Sequence, residues 1–160
     1  MSQLIVTQKL MSFNDKFRIT DEHDQIRYQV EEKLFTWGKI YNILDCYGKE
    51  VARIEEKVLS FRPTFHIIIR NEKIATVKKE ITFFRSKYNI DGRDISCTGD
   101  FLSLNFTIHQ KQQKIAEIRK ELFKLRDTYY IDIPYDEHEL MVLTLVLAID
   151  ICEHSSRNNN

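Results

Sequence analysis

The side chains best placed to do chemistry in this sequence are cationic. Lys111, Lys114, Arg119, Lys120, Lys124 and Arg126 face only Glu117 and Glu121 within their own span, and Lys78, Lys79, Arg85, Lys87 and Arg93 form a second basic stretch. If the two stretches lie side by side, they offer a surface for phosphate or anionic lipid headgroups. The bland alternative is a solvated barrel exterior with lysines that protect strand edges. The candidate ligand-binding residues are Lys78, Lys79, Arg85, Lys87, Lys111, Lys114, Lys120 and Lys124.

Other chemistries find little support. None of His23, His66, His109, His138 and His154 pairs with another at a metal-ligand spacing, so no metal or other cofactor is expected. Asp136-Glu137-His138-Glu139 is a dense polar cluster that a helix start accounts for. No GxSxG, HExxH or glycine-rich phosphate loop occurs, and nothing supports Cys46 pairing with His66 or His109, so no catalytic residue and no enzyme is expected. Trp37, beside Gly38, reads as a core or barrel-mouth aromatic rather than a ligand platform. Three widely spaced cysteines, Cys46, Cys97 and Cys152, make neither a disulfide framework nor a zinc site and suit a reducing compartment. The N-terminal residues have no signal-peptide pattern. The expected location is the cytoplasm, peripheral to a membrane if lipid is the ligand. With 24 basic against 24 acidic residues, the charge gives no long-range reason to expect nucleic acid as a partner.

The elements that must hold these residues read as strands. The 160 residues suffice for one domain, 42% are apolar, and four Gly and two Pro rule out low-complexity folds. Up to residue 135, aromatic and β-branched runs are broken by polar turn clusters, among them Asn14–Lys16, Asp21–Asp24, Asp45–Gly48, Asn71–Lys73 and Asn89–Gly92. Ile115–Leu125 is the one helical rival, and an internal repeat argues against it. Residues 74–90 and 115–131 agree at seven of 17 positions, among them Ala75/Ala116, Lys79/Lys120, Arg85/Arg126 and Tyr88/Tyr129. A third copy starts at Val51 with Ala52, Arg62, Phe65 and Ile67, and a faded fourth starts at Arg27. The gap before residue 115 has room for a degenerate copy at 92–108. Each copy reads as a long strand, a turn at the shared Arg, a short strand and a polar turn. In the Val51 copy these fall at Val51–Phe61, Arg62–Thr64, Phe65–Ile69 and Arg70–Lys73.

Alternation puts Ala52, Ile54 and Val58 on one face, as it does Ala75, Val77, Ile81 and Phe83, and Ala116, Ile118 and Leu122. Glu56, Lys79 and Lys120 share that face, where a charge suggests a bulge or a strand leaving the core. Three matching inward alanines leave interior space. Leu140–Ile149 supplies the filler: a nearly unbroken apolar run, opened by Asp136 and Glu139 in capping-box spacing. It is too short to span a bilayer and carries Asp150 at its end. Residues 155–160 read as a disordered polar tail after a single domain at 1–154.

The Gly48-Lys49-Glu50-Val51-Ala52-Arg53-Ile54 pattern, with strand repeats and one late apolar helix, resembles the LURP-one-related family of the tubby C-terminal-like superfamily, relatives of the phospholipid scramblases. The resemblance spans about Leu4 to His154. It implies a mainly β fold: a closed antiparallel β-barrel of about twelve strands around a central hydrophobic C-terminal helix. In tubby proteins this domain binds phosphoinositide headgroups through a basic pocket, which matches no set of positions here. A scramblase role is disfavoured, because a Pro-rich N-terminal region and a spanning segment are missing from this sequence. The resulting expectation is a non-enzymatic binding module for anionic lipid headgroups or another ligand. The alternative is a structural or protein-interaction scaffold without a small ligand.

Overall fold

A computed structural model describes residues 1–7, 17–80, 82, 87–121 and 128–158. Twelve strands follow one another: β1 Ser2–Thr7, β2 Phe17–Asp21, β3 Ile26–Phe35, β4 Gly38–Asp45, β5 Glu50–Glu56, β6 Thr64–Ile69, β7 Glu72–Glu80, β8 Lys87–Asp91, β9 Ile95–Asp100, β10 Asn105–Gln110, β11 Gln113–Glu121 and β12 Thr128–Ile133. Each pairs antiparallel with its sequence neighbour, and β1 also pairs with β12, so the meander wraps into a barrel. The ladder is open only between β8 and β9, making the barrel nearly closed rather than closed. The rival helix at Ile115–Leu125 is strand through Glu121; residues 122–125 lie outside the described set.

The internal repeat is a structural repeat. At the same offsets in the four copies, Glu32 faces Tyr41, Glu56 faces Phe65, Lys79 faces Tyr88 and Lys120 faces Tyr129 across the ladder. Two residues earlier on each long strand, Val30, Ile54, Val77 and Ile118 face Ile43, Ile67, Ile90 and Ile131. Because side chains alternate across a strand, one shared register places one shared set of residues inside. The hairpin of β9 and β10 is not a fifth copy; it closes on the short connection Phe101–Leu104 with its own register.

Turn chemistry explains much of the punctuation. The Asp21 carboxylate accepts the backbone N–H groups of His23 and Gln25, and Asp45 accepts those of Tyr47 and Lys49, so two connections share one local design. Arg70 and Asn71 both hold positive φ, the geometry that matches a two-residue turn to strand twist. Gly92 (φ +133°) turns β8 into β9 where a Cβ would sit 2.3 Å from the Ile74 carbonyl oxygen, so only glycine fits. The polar cluster Asn89–Gly92 is mostly strand, with the turn beginning at Gly92.

After β12, residues Asp136–His138 form a single 3-10 turn and α1 runs from Glu139 to Asn158 through the barrel. From Val142 to Ile149 no side chain is more than 1% exposed. Ala52, Ala75 and Ala116 are buried and face inward, leaving the width a helix needs. Thr144 settles its hydroxyl on the Leu140 carbonyl at 2.6 Å. Four details depart from the sequence reading. The helix continues to Asn158, beyond the expected tail boundary. The capping box does not form: the Met1 ammonium takes Asp136 at 3.1 Å, while Glu139 accepts bonds from Arg27 and Tyr28. The long strand of the Val51 copy stops at Glu56, so Val58 is exposed rather than inward. The inward charges mark no bulge, since the register shifts fall at Ile19/Thr20, Ile43/Leu44, Ile67/Ile68 and Ile108/His109; they sit at the ends of their strands, Glu56 last in β5 and Lys79 and Lys120 next to last in β7 and β11.

Candidate functional site

The meander fixes which residues share an end. Connections leaving odd-numbered strands lie at one end, the upper rim. Those leaving even-numbered strands lie at the lower end, where α1 enters.

Just below the upper rim, the inward charges build a polar layer around the last turns of α1. Lys79 reaches Glu153 at 3.1 Å, and the Tyr88 hydroxyl donates to the other oxygen of Glu153 at 2.6 Å. Tyr129 donates to Asp150 at 3.4 Å, and His154 Nδ1 lies 3.3 Å from the same carboxylate. Tyr41 donates to Glu32, which also meets Lys39. Burial, with the neighbouring carboxylates, pushes the Tyr41, Tyr88 and Tyr129 phenols of this layer well above their ordinary range, as it does Tyr28 beside Glu139 at the opposite end. The Cys97 thiol is pushed up to about 12 by burial alone, and burial raises that of Cys152, so both stay protonated at neutral pH. These groups satisfy one another and lock the helix in register with the strands. Among the described residues, no three His, Cys, Asp or Glu side chains converge as metal ligands.

Among the described residues, the basic stretches are divided between the two ends of the barrel. Lys78 and Lys87 are exposed near the upper rim, on β7 and β8. Lys111 and Lys114 are exposed at the lower end on the far side of the open seam, and Lys114 pairs with Glu117 at 2.6 Å. Lys79 points inward to Glu153, and Lys120, opposite the buried Tyr129, follows the same inward alternation. Arg85, Lys124 and Arg126 lie outside the described residues, so of the three recurring arginines only Arg62 is placed, in the connection 57–63.

A different group of residues gathers at the upper rim. Among the described residues, the large apolar side chains left exposed there are Leu34, Phe35, Trp37, Val58, Leu59, Phe61 and Leu102; at the lower end they are Met1, Tyr47 and Tyr135. Trp37 is thus a barrel-mouth residue and not a core one. It is 67% exposed and stacks on Phe35 at 5.5 Å. The two connections carrying six of these side chains touch: a Cβ on Gly38 would lie 2.6 Å from Val58 Cγ2, and the Lys39 N–H donates to Glu56 at 3.0 Å. Flanking them are Lys33, Lys39, Lys57 and Arg62, and neither 33–39 nor 57–63 contains an acid. Strand alternation could not flag this group, because apolar residues at a strand end read as core. The signal present in the sequence is the parallel between Lys33-Leu34-Phe35-Thr36-Trp37 and Lys57-Val58-Leu59-Ser60-Phe61, 24 residues apart.

The lower end has an open cleft of about 520 Å³ beside Arg27, Tyr28, Arg70 and Glu139, but Arg27 and Tyr28 are already committed to Glu139. No helix among the described residues is long and apolar enough to cross a membrane.

Known proteins match this architecture. The chain is similar, at 27% identity over all of its length and 99% of the relative's, to YxjI of Bacillus subtilis (strain 168), an uncharacterised protein. Its fold is that of a crystal structure of a protein from Arabidopsis thaliana, with a TM-score of 0.64 and 17% identity over 94% of this chain and 90% of that one. The LURP-one-related family model matches residues 2–150, and the chain belongs to that family.

Proposed function

We propose that this protein is a non-enzymatic module that binds anionic lipid headgroups at a membrane surface through its upper rim. The barrel interior, where a small barrel would hold a ligand, is filled by the protein's own helix, which favours binding on the outside. The carrying observation is the charge of the rim between β3 and β8. Among the described residues, Lys33, Lys57, Arg62 and Lys78 make no ion pair, Lys87 stands across the ladder from Glu80, and Glu32 and Glu153 are engaged from within. Each basic residue near an anionic leaflet contributes about 1 kcal/mol, screened by salt. A peripheral position on the cytoplasmic face suits the three free cysteines.

Co-sedimentation with phosphatidylcholine vesicles, with and without phosphatidylserine, tests this reading. Recovery in the pellet should rise with the anionic lipid and fall with added salt. Equal recovery in the supernatant under both conditions would remove the reading and leave a protein-interaction scaffold in its place.

A further inference from the structure

The rim holds more than charge. Resting on the lipid-binding reading, we propose that the adjoining connections 33–39 and 57–63 insert side-on-side into the bilayer, with Trp37, Leu59 and Phe61 entering the acyl boundary and the flanking cations meeting the headgroups. Leu59 is 98% and Phe61 104% exposed, so neither contributes to the core. Leu59 also holds a φ of +63°, a left-handed conformation that a leucine adopts at a cost.

The presentation is ordered. Lys57 N–H donates to the Thr64 carbonyl at 2.9 Å, Thr64 Oγ1 donates to the Arg62 carbonyl at 2.9 Å, and Ser60 and Thr64 share a bond at 3.0 Å. These bonds hold 57–63 as a shaped loop, and stacking with Phe35 fixes Trp37 beside it. The chemistry matches a membrane interface: an indole that prefers the headgroup level, aliphatic and phenyl groups to bury, and lysines long enough to reach phosphates. Neither segment carries an acid, and of the acids just before them Glu32, Glu55 and Glu56 are engaged by Lys39, Arg53 and the Lys39 N–H, which limits the repulsion an anionic surface would meet. The same basic-apolar-apolar-hydroxyl-aromatic order appears in both segments, one at the end of β3 and its two-residue turn, the other in the longer connection 57–63, so two prongs of like chemistry adjoin.

Trp37 is the sole tryptophan of the chain, so its fluorescence reports on the rim alone. With full-length protein and phosphatidylcholine/phosphatidylserine vesicles, Trp37 emission should shift to the blue and be quenched by brominated acyl chains. Leu59→Asn with Phe61→Ser, which removes only exposed side chains, should keep the wild-type thermal midpoint and weaken vesicle binding about tenfold or more. Vesicle binding with unshifted, unquenched Trp37 and an unaffected double variant would overturn insertion while leaving headgroup binding intact. Equal quenching in vesicles without phosphatidylserine would retain insertion and overturn the anionic preference. No vesicle binding at all, with self-association that the double variant abolishes, would overturn both and assign the prongs to a second copy of the chain.

Discussion

At the scale of single residues, the inward positions of the repeat carry two kinds of information. Apolar members were legible from alternation: Ile54, Val77 and Ile118 are buried where period two places them. The charged members were not, because their partners lie on other elements: Glu32 meets Tyr41 and Lys39 on the next strand, and Lys79 meets Glu153 on the helix, 74 positions away. Sequence spacing cannot reveal such a pair; only the barrel brings it together. The phenols of this layer, together with Tyr28 at the lower end, give the fold a pH signature. A free tyrosine ionises near about 10, whereas burial and the adjacent carboxylates raise Tyr28, Tyr41, Tyr88 and Tyr129 above that value in the folded state. Their contribution to stability is therefore complete below about pH 10 and is lost as the pH climbs beyond it, because the unfolded chain releases protons first. Phenolate absorbance should show four of the seven tyrosines titrating only together with loss of the β-sheet circular dichroism signal. Titration of all seven near pH 10 with an unchanged fold would refute this.

At the scale of elements, α1 is the clearest case of sequence dictating structure. Apolarity on every face from Leu140 to Ile149 required burial on every face, and three inward alanines required a filler. Its start falls where the polar cluster places it, but the capping box does not form, because Asp136 and Glu139 answer to tertiary partners, the Met1 ammonium and Arg27, rather than to the helix's own N–H groups. Leu143 and Leu147 lie in the fully enclosed stretch, at 0% and 1% exposure. Leu143→Asp or Leu147→Asp would place a carboxylate there with no cation supplied, beyond the loss of about 1.5–3 kcal/mol of aliphatic burial. Either variant should be unfolded or aggregated at room temperature, as judged by circular dichroism and size-exclusion chromatography. A cooperative melt near the wild-type midpoint would show that the helix leaves the barrel readily.

At the scale of the whole molecule, the helix and the sheet are one core. The upper-rim prongs were the part least visible beforehand, since whether Trp37 points in or out depends on where a hairpin ends relative to the barrel's edge. Removing residues 136–160 should abolish the soluble monomer rather than trim it, because a typical domain keeps only about 5–15 kcal/mol of net stability and the truncation strips the interior of its filler. Sedimentation of the truncated chain checks this; a compact monomer with the wild-type thermal midpoint would contradict it. The position of α1 also has a consequence for biosynthesis. The helix follows all twelve strands, and β1 finds its second neighbour only in β12. On the ribosome the strands emerge first, at about 5–20 residues per second, with inward faces that have nothing to enclose. The barrel cannot reach its native packing until α1 has cleared the exit tunnel, so every nascent copy passes through an interval in which its apolar interior is open to chaperones.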